Sequence, residues 1–247
     1  MPVDVLAVGN GAAIVSKPAG ISTEAWMYSV GGAVAHEFEP SGPIPSVSRL
    51  DKYTSGVMVV PTTRLGETVL TEQFKERSVD KTYTALVRGV TEPHGTIDAK
   101  LHVSNDKNHF RVYVSPKGKP AVTEYLRLCV LRMPERTTCS DKPSQAAATK
   151  AEDVFSLLEV KPLTGRTHQI RAHFAAHGHP LVSDTKYKPK VAKRQLRWCD
   201  RLFLHATRIR VRDVDGTALE AEAPLPVDLQ AVLDQMDEVE TECIRSA

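Results

Sequence analysis

The chain has 247 residues, 41% of them hydrophobic, enough to bury one large core or two small ones, and a formal charge of +2. No apolar run approaches the roughly eighteen residues that a membrane-crossing helix needs, and Met1-Pro2-Val3-Asp4 opens neither a secretory signal nor an Arg- and Ser-rich transit sequence. The chain therefore reads as soluble and intracellular, with the cytoplasm its expected location, and Cys129, Cys139, Cys199 and Cys243 are too scattered for a zinc ribbon or a dithiol site.

Val5 to Val15, rich in Val, Ile and Ala, predicts a strand that ends in the Lys17-Pro18-Ala19-Gly20 turn. Residues 29 to 47, rich in Gly, Pro and Ser, read as a surface connection leading to Arg49. There Arg49-Leu50-Asp51 and Thr54-Ser55-Gly56 set an aspartate between a guanidinium and a tight polar turn. An aspartate so placed usually caps backbone amides, but the same arrangement keeps a carboxylate ionised and aimed at a substrate. Val57-Met58-Val59-Val60 predicts a buried strand directly after it, which puts Asp51 at the mouth of a sheet.

Leu65, Val69, Leu70 and Phe74 share one helical face, predicting an amphipathic helix from about Thr63 to Arg77. Lys81 to Val90 alternates as a strand, with Tyr83, Ala85 and Val87 on one side. Further strands are expected at Phe110–Val114, Val122–Leu131, Phe155–Pro162, Ala206–Val211 and Ala218–Ala223. Residues 133 to 152 lack apolar periodicity and read as a flexible insertion.

A second polar cluster, Thr164-Gly165-Arg166-Thr167-His168-Gln169-Ile170-Arg171, precedes a helix expected over residues 168 to 177 and ended by Gly178. Two such clusters in one domain suit two walls of one cleft. His168, His173, His177 and His179 are close together but lack the His-Glu-x-x-His spacing of a metal shell, so no metal is expected. Pro226 opens a last helix with Leu229, Val232, Leu233 and Met236 inward and Asp234, Asp237, Glu238 and Glu240 toward solvent.

The charge of +2 divides unevenly. From Asp213 to Ala247 the chain holds ten acidic residues and one basic, so the preceding 212 residues carry +11. Lys186 to Arg212 alone has ten Lys/Arg against Asp200, a density that favours a polyanion or else makes an ordinary solvated surface. Tyr187, Trp198 and Phe203, interleaved with these cations, are equally suited to stacking on bases or to the core.

Four segments together resemble the RluA family of RNA pseudouridine synthases: Ser16-Lys17-Pro18-Ala19-Gly20, Arg49-Leu50-Asp51-Lys52-Tyr53-Thr54-Ser55-Gly56, Lys81-Thr82-Tyr83 with Gly89, and Leu163 through Tyr187 followed by Leu204-His205-Ala206. They occur in the family's order, from near residue 5 to about residue 235. The resemblance implies an α+β fold, a mixed and mostly antiparallel β-sheet with flanking helices and a central basic cleft for RNA. It implies one catalytic domain over residues 1–247; no separate N-terminal RNA-binding domain is expected before it, which is a departure from the family. It further implies that Asp51 is catalytic, that Tyr83 stacks on the target base, that Arg171 pairs with Asp51 and that Arg49 helps to expel or replace the flipped nucleotide. Arg166, His168, Lys186, Lys188 and Arg194 are the further RNA-binding candidates. The expected partner is tRNA or rRNA, the expected state a monomer, and no cofactor is called for. Ser48 departs from the family, which commonly has histidine before the arginine.

These residue types suit the chemistry on their own terms. Turning uridine into its C-glycoside breaks N1–C1′, turns the freed uracil and joins C5 to C1′. An ionised carboxylate serves this either by attacking the sugar or as a base toward the ribose, and an arginine beside it favours the charged form. Two other classes compete: an inactive RNA-binding or RNA-chaperone protein on the same fold, and a nucleoside or sugar hydrolase. The intact Asp51, Tyr83 and Arg171 count against the first, and the lack of a paired carboxylate counts against the second.

Overall fold

A computed structural model describes residues 3–34, 44–106, 109–134 and 154–241. The chain opens with a hairpin, β1 (Asp4–Val8) and β2 (Ala12–Lys17), where one strand was expected. Gly9-Asn10-Gly11 makes the turn: Gly9 N–H donates to the Ala12 carbonyl at 2.8 Å, and the Asp213 carboxylate accepts from the amides of Asn10 and Gly11. Helix α1 (Thr23–Val34) then occupies part of what composition marked as a surface connection. Its Trp26, Met27, Val30 and Val34 fall on a buried helical face, a period that the neighbouring Gly and Ser residues obscure.

The next elements are β3 (Ser55–Pro61), α2 (Arg64–Glu76), β4 (Asp80–Arg88), β5 (His94–Asp98), β6 (Leu101–Asp106), β7 (His109–Val114) and β8 (Val122–Arg132). Thr63 caps α2 by accepting the Gly66 amide at 3.0 Å, as its hydroxyl and the following polar turn predict. After β9 (Val154–Pro162) come α3 (Gln169–Ala176), α4 (Pro189–Gln195), β10 (Leu204–Arg212), β11 (Ala218–Glu222), α5 (Val227–Leu233) and β12 (Asp237–Thr241). The expected insertion over 133–152 lies outside the described residues apart from Met133 and Pro134.

The expected last helix is shorter than its sequence pattern. It ends at Leu233, and Asp237–Thr241 pairs antiparallel with β8 as a terminal strand of the sheet. Val239 continues the helical spacing of Leu229, Val232, Leu233 and Met236, so the pattern does not mark the change, and a charged edge strand resists pairing with other chains.

The main sheet has ten strands in the order β1-β2-β3-β10-β4-β9-β8-β12, with β11 added to β10 and β5 to β8, while β6 and β7 form a separate hairpin. Its described ladders are antiparallel except β3 with β10, where Ser55 faces His205 and Gly56 faces Ala206. This joint closes the sheet beneath the Asp51 turn. Gly56 has φ of 114°, and a Cβ there would lie 2.1 Å from the Ala206 carbonyl oxygen, so only glycine permits the approach.

The core is divided. One cluster gathers β2, β3, α1 and α2 around Ile14, Trp26, Met58 and Leu70. Others gather β4, β9 and α3 around Val87, Leu158 and Phe174, and Leu86, Phe155 and Phe203 with α5. Tyr83 is half-buried and packs against both of the first two clusters, so it stands at their seam. No helix among the described residues is long and apolar enough to cross a membrane.

Gly56→Ala is expected to lower stability by more than about 2 kcal/mol or to prevent folding. Gly20→Ala, at φ 90° but with open space around its Cβ, is expected to cost only about 1 kcal/mol. Equal unfolding midpoints for the two variants in urea would contradict the close β3–β10 approach.

Candidate active site

The Asp51 turn is held from both sides by the segment that follows β2. The Thr23 hydroxyl donates to the Leu50 carbonyl at 2.9 Å and accepts the Leu50 amide at 3.1 Å, so one side chain satisfies both backbone groups of the preceding residue. On the other side the Gly20 amide donates to the Lys52 carbonyl at 2.8 Å, and Thr54 N–H closes the turn on the Asp51 carbonyl at 3.0 Å. Lys17 braces this segment from within. Its buried Nζ donates to the carbonyls of Pro18 and Ile21 at 2.7 and 2.9 Å. Burial pulls the Lys17 pKa down to about 8, against the opposing pull of the Asp51 charge.

With its backbone fixed, the Asp51 side chain points into a cavity of about 880 Å³ and retains 23% exposure. Arg171, on the first turn of α3, donates from Nη1 to Asp51 Oδ2 at 2.8 Å. The other edge of the guanidinium is taken by Asp184, which accepts from Nε at 2.8 Å and from Nη2 at 2.9 Å. Burial alone disfavours the Arg171 cation, but the hydrogen bonds and charges of Asp184 and Asp51 outweigh it and hold its pKa above the ordinary arginine value. Asp184 was not among the residues singled out in the sequence. Its one mark in the sequence is that it is the sole carboxylate between Leu163 and Tyr187, which gains meaning once Arg171 is known to be buried.

The polar cluster before α3 builds the turn that delivers Arg171. The Gln169 carboxamide accepts from the Thr164 hydroxyl at 2.6 Å and the Arg166 amide at 3.0 Å, and donates to the Val122 carbonyl and the Thr123 hydroxyl, each at 2.9 Å. His173, fully buried, lies 2.9 Å from both the Thr123 hydroxyl and the Ala99 carbonyl. The carbonyl can only accept, so Nε2 carries the proton and Nδ1 accepts from Thr123. Gln169 is thus the organiser of the cluster, and His168 is its neighbour to the cavity.

His168 takes the left-handed conformation at φ 51° and brings Nε2 within 3.7 Å of Asp51 Oδ2, beyond hydrogen-bond reach. Burial lowers its pKa to about 4, a fall that Asp51 opposes and that Arg171 and Lys186 deepen, so the ring is neutral near pH 7. Its Nδ1 lies 3.3 Å from the Tyr187 hydroxyl. Tyr83 lines the cavity from β4; burial first, and then the Asp51 charge, push its hydroxyl above the ordinary tyrosine range, so it stays protonated.

Eight Lys/Arg side chains and two carboxylates, Glu24 and Asp51, line the cavity. Arg49 is among them, largely exposed and 3.2 Å from Glu24, and so is Arg166, whose Nε donates to the Pro120 carbonyl at 3.1 Å. Lys186 stands at the rim, with Nζ 4.5 Å above the ring of Phe110, itself a lining residue. Lys188 and Arg194 are not brought to the cavity and lie exposed on α4 and its leading residue. Phe203 is fully buried and Trp198 packs on Phe155, so both belong to the core. Ser48 reaches the Val59 carbonyl at 3.5 Å. Among the described residues no group of three or more His, Cys, Asp and Glu is placed to hold a metal ion.

A family model described as RNA pseudouridylate synthase matches residues 12–176. The chain is 32% identical over 239 residues to an uncharacterized RNA pseudouridine synthase of Bacillus subtilis, covering 92% of this chain and 70% of the relative. It is also 32% identical over 254 residues to the ribosomal large subunit pseudouridine synthase D of Escherichia coli, covering 96% of this chain and 71% of that one. In fold it is similar to the solved structure of human RNA pseudouridylate synthase domain containing 1, with a TM-score of 0.74 at 24% identity over 98% of this chain and 90% of the other.

His168, His173 and His205 are all buried with lowered pKa values, burial being the first cause in each. Their folded pKa values lie below the unfolded value of about 6.5, so the unfolded chain binds protons first as the pH falls. Their contribution is intact above about pH 6.5 and is lost as the pH falls through the folded pKa values, that of His168 being about 4. The urea midpoint is expected to drop between pH 7 and pH 5; a midpoint that holds constant would contradict neutral burial of the three rings.

Proposed function

The chain belongs to the RNA pseudouridylate synthase family, and on that premise we propose that it isomerises specific uridines in RNA to pseudouridine, with Asp51 as the essential carboxylate. The observation that carries this reading is the Asp51–Arg171 pair at 2.8 Å on the wall of a cavity that Tyr83 also lines.

The target uridine must leave its stack to reach such a cavity. Asp51 then acts in its ionised form, either attacking C1′ to form an ester or taking a proton from the ribose, as the N1–C1′ electron pair departs with the uracil. Arg171 favours the ionised carboxylate before this step and supplies positive charge as negative charge moves to the base. Tyr83 offers the detached uracil a flat, protonated ring on which to turn until C5 faces C1′. Joining C5 to C1′ and passing the C5 proton to N1 completes an isomerisation, with no atom gained or lost. Arg49, exposed at the mouth, is suited to filling the place the base has left.

The cations lining the cavity, with Lys186 at its rim, suit the phosphates on either side of the flipped nucleotide. Lys188 and Arg194 extend the same charge along α4 to more distant phosphates. The likeness to a ribosomal large subunit synthase favours rRNA over tRNA as the substrate. One catalytic domain over residues 1–247, acting as a cytoplasmic monomer, completes the proposal.

Asp51→Asn is expected to abolish tritium release from RNA labelled at C5 of uridine while leaving RNA affinity within about threefold. Activity that survives the substitution overturns the assignment, whereas loss of binding and activity together would point to a structural role. RNA affinity is also expected to fall by roughly 10³-fold or more between 50 and 200 mM salt if about six phosphates are engaged. A flat salt dependence would remove the lining cations from the RNA surface.

A further inference from the structure

We propose that Asp184 is a positioning residue that keeps Arg171 paired and aimed throughout the reaction and limits how strongly Arg171 holds Asp51. The inference rests on the reading of Asp51 given above. Asp184 does not line the cavity and is 1% exposed, so it touches no substrate.

The geometry is a single guanidinium between two carboxylates of unequal standing. Asp184 takes two of its N–H groups with both oxygens, and its Oδ1 also accepts the backbone amides of Lys186 at 3.0 Å and Tyr187 at 3.2 Å. Asp51 takes one N–H with one oxygen and remains open to the cavity. The buried partner is therefore committed and the exposed partner is free to react.

Two consequences follow for the chemistry. The first concerns charge. When an Asp51 oxygen bonds to C1′ the electron pair of N1–C1′ leaves with the uracil; when Asp51 acts as a base, the ribose proton moves to its oxygen. In either case the negative charge beside Arg171 disappears, and a buried guanidinium with no other partner would be stranded at high cost. Asp184 keeps it neutralised through that interval. The second concerns aim, since a planar fork locked on its Nε edge cannot swing away with the reacting carboxylate, and Nη1 is still in place when Asp51 is regenerated.

Asp184 also tempers the resting state. Groups whose charge interacts with Asp51 include Arg171 from α3, Lys17 from β2 and Lys186 from the stretch before α4, with His168 neutral and Tyr83 and Tyr187 protonated. Removing the Asp184 charge leaves these cations in place and takes away the buried anion that offsets Arg171. Asp51 would then be held more tightly as an anion and would be a poorer nucleophile or base.

Asp184→Asn keeps the shape, removes the charge and replaces one of the two acceptor oxygens by an NH2 donor. The single-turnover rate of C5 tritium release is expected to fall on the order of 10²-fold. RNA affinity should stay within about threefold, and the acid limb of the rate–pH profile should move to lower pH. A residue that only supports the fold would reduce the melting temperature and the active fraction without moving that limb, and an unshifted limb in a folded variant overturns the proposal. Should the Asn variant fail to fold, Arg171→Lys makes the test from the other side. One ammonium cannot serve both carboxylates, so the buried Asp184 is expected to claim it and the acid limb to move to higher pH; an unchanged limb again refutes the idea. If wild-type turnover is present and Asp51→Asn is inactive while neither limb moves, this inference fails and the function stands.

Discussion

A guanidinium buried in a protein must meet acceptors on each edge it presents, and Arg171 meets two aspartates that reach it by different routes. Asp184 belongs to the same local stretch of chain, whereas Asp51 arrives from the other half of the molecule, 120 residues away in sequence. The ion pair thus requires that the β3 end of the sheet and α3 face one another. The Gly56–Ala206 contact supplies that facing, because it lets β10 run beside β3 at a spacing no side chain would tolerate. Much of the remaining architecture serves to hold these two walls at a fixed distance.

Each wall has its own means of rigidity. The Asp51 wall is braced through backbone groups, with Thr23 on Leu50, Gly20 on Lys52 and Lys17 inside the turn. The Arg171 wall is braced through side chains, in a run of donors from Gln169 to Thr123 to His173 to the Ala99 carbonyl. The difference follows from local structure. A turn has spare carbonyls and amides to be satisfied, whereas the first helical turn of α3 has already committed its carbonyls.

Much of this was legible in the sequence. Alternation gave β4 and its Tyr83 face, periodicity and Thr63 gave α2, and the motifs gave the residues that meet around the cavity. What was hidden had physical reasons. The β1–β2 hairpin is signalled by Asn10-Gly11, a tight-turn pair that the run of Val, Ile and Ala on either side masks. Helix α1 was obscured by Ser29, Gly31 and Gly32 among its apolar residues, and β12 by acidic residues that suit a helix surface and a sheet edge equally well. Asp184 escaped because a lone aspartate gains meaning only once a buried partner is known, and partnership across space is not written in spacing. Lys188 and Arg194 show the converse: charge density predicts a surface but not which of its members reach a cavity.

The seat of Tyr83 bears on how such a molecule can change over generations. Its ring packs on two hydrophobic clusters at once, so a substitution beneath it in either half disturbs the other, and few mutational steps alter its seat without a loss of stability. The β6–β7 hairpin, by contrast, rests on a small cluster of its own, Leu101, Val112, Ala121 and Ala172, and presents Phe110 to the cavity rim. A lineage could lengthen, recharge or reshape that hairpin at little expense to the rest. The fold therefore sets a ring wedged between two clusters opposite a hairpin that reaches the same cavity from a third, so the two sides of the cavity answer to different parts of the core.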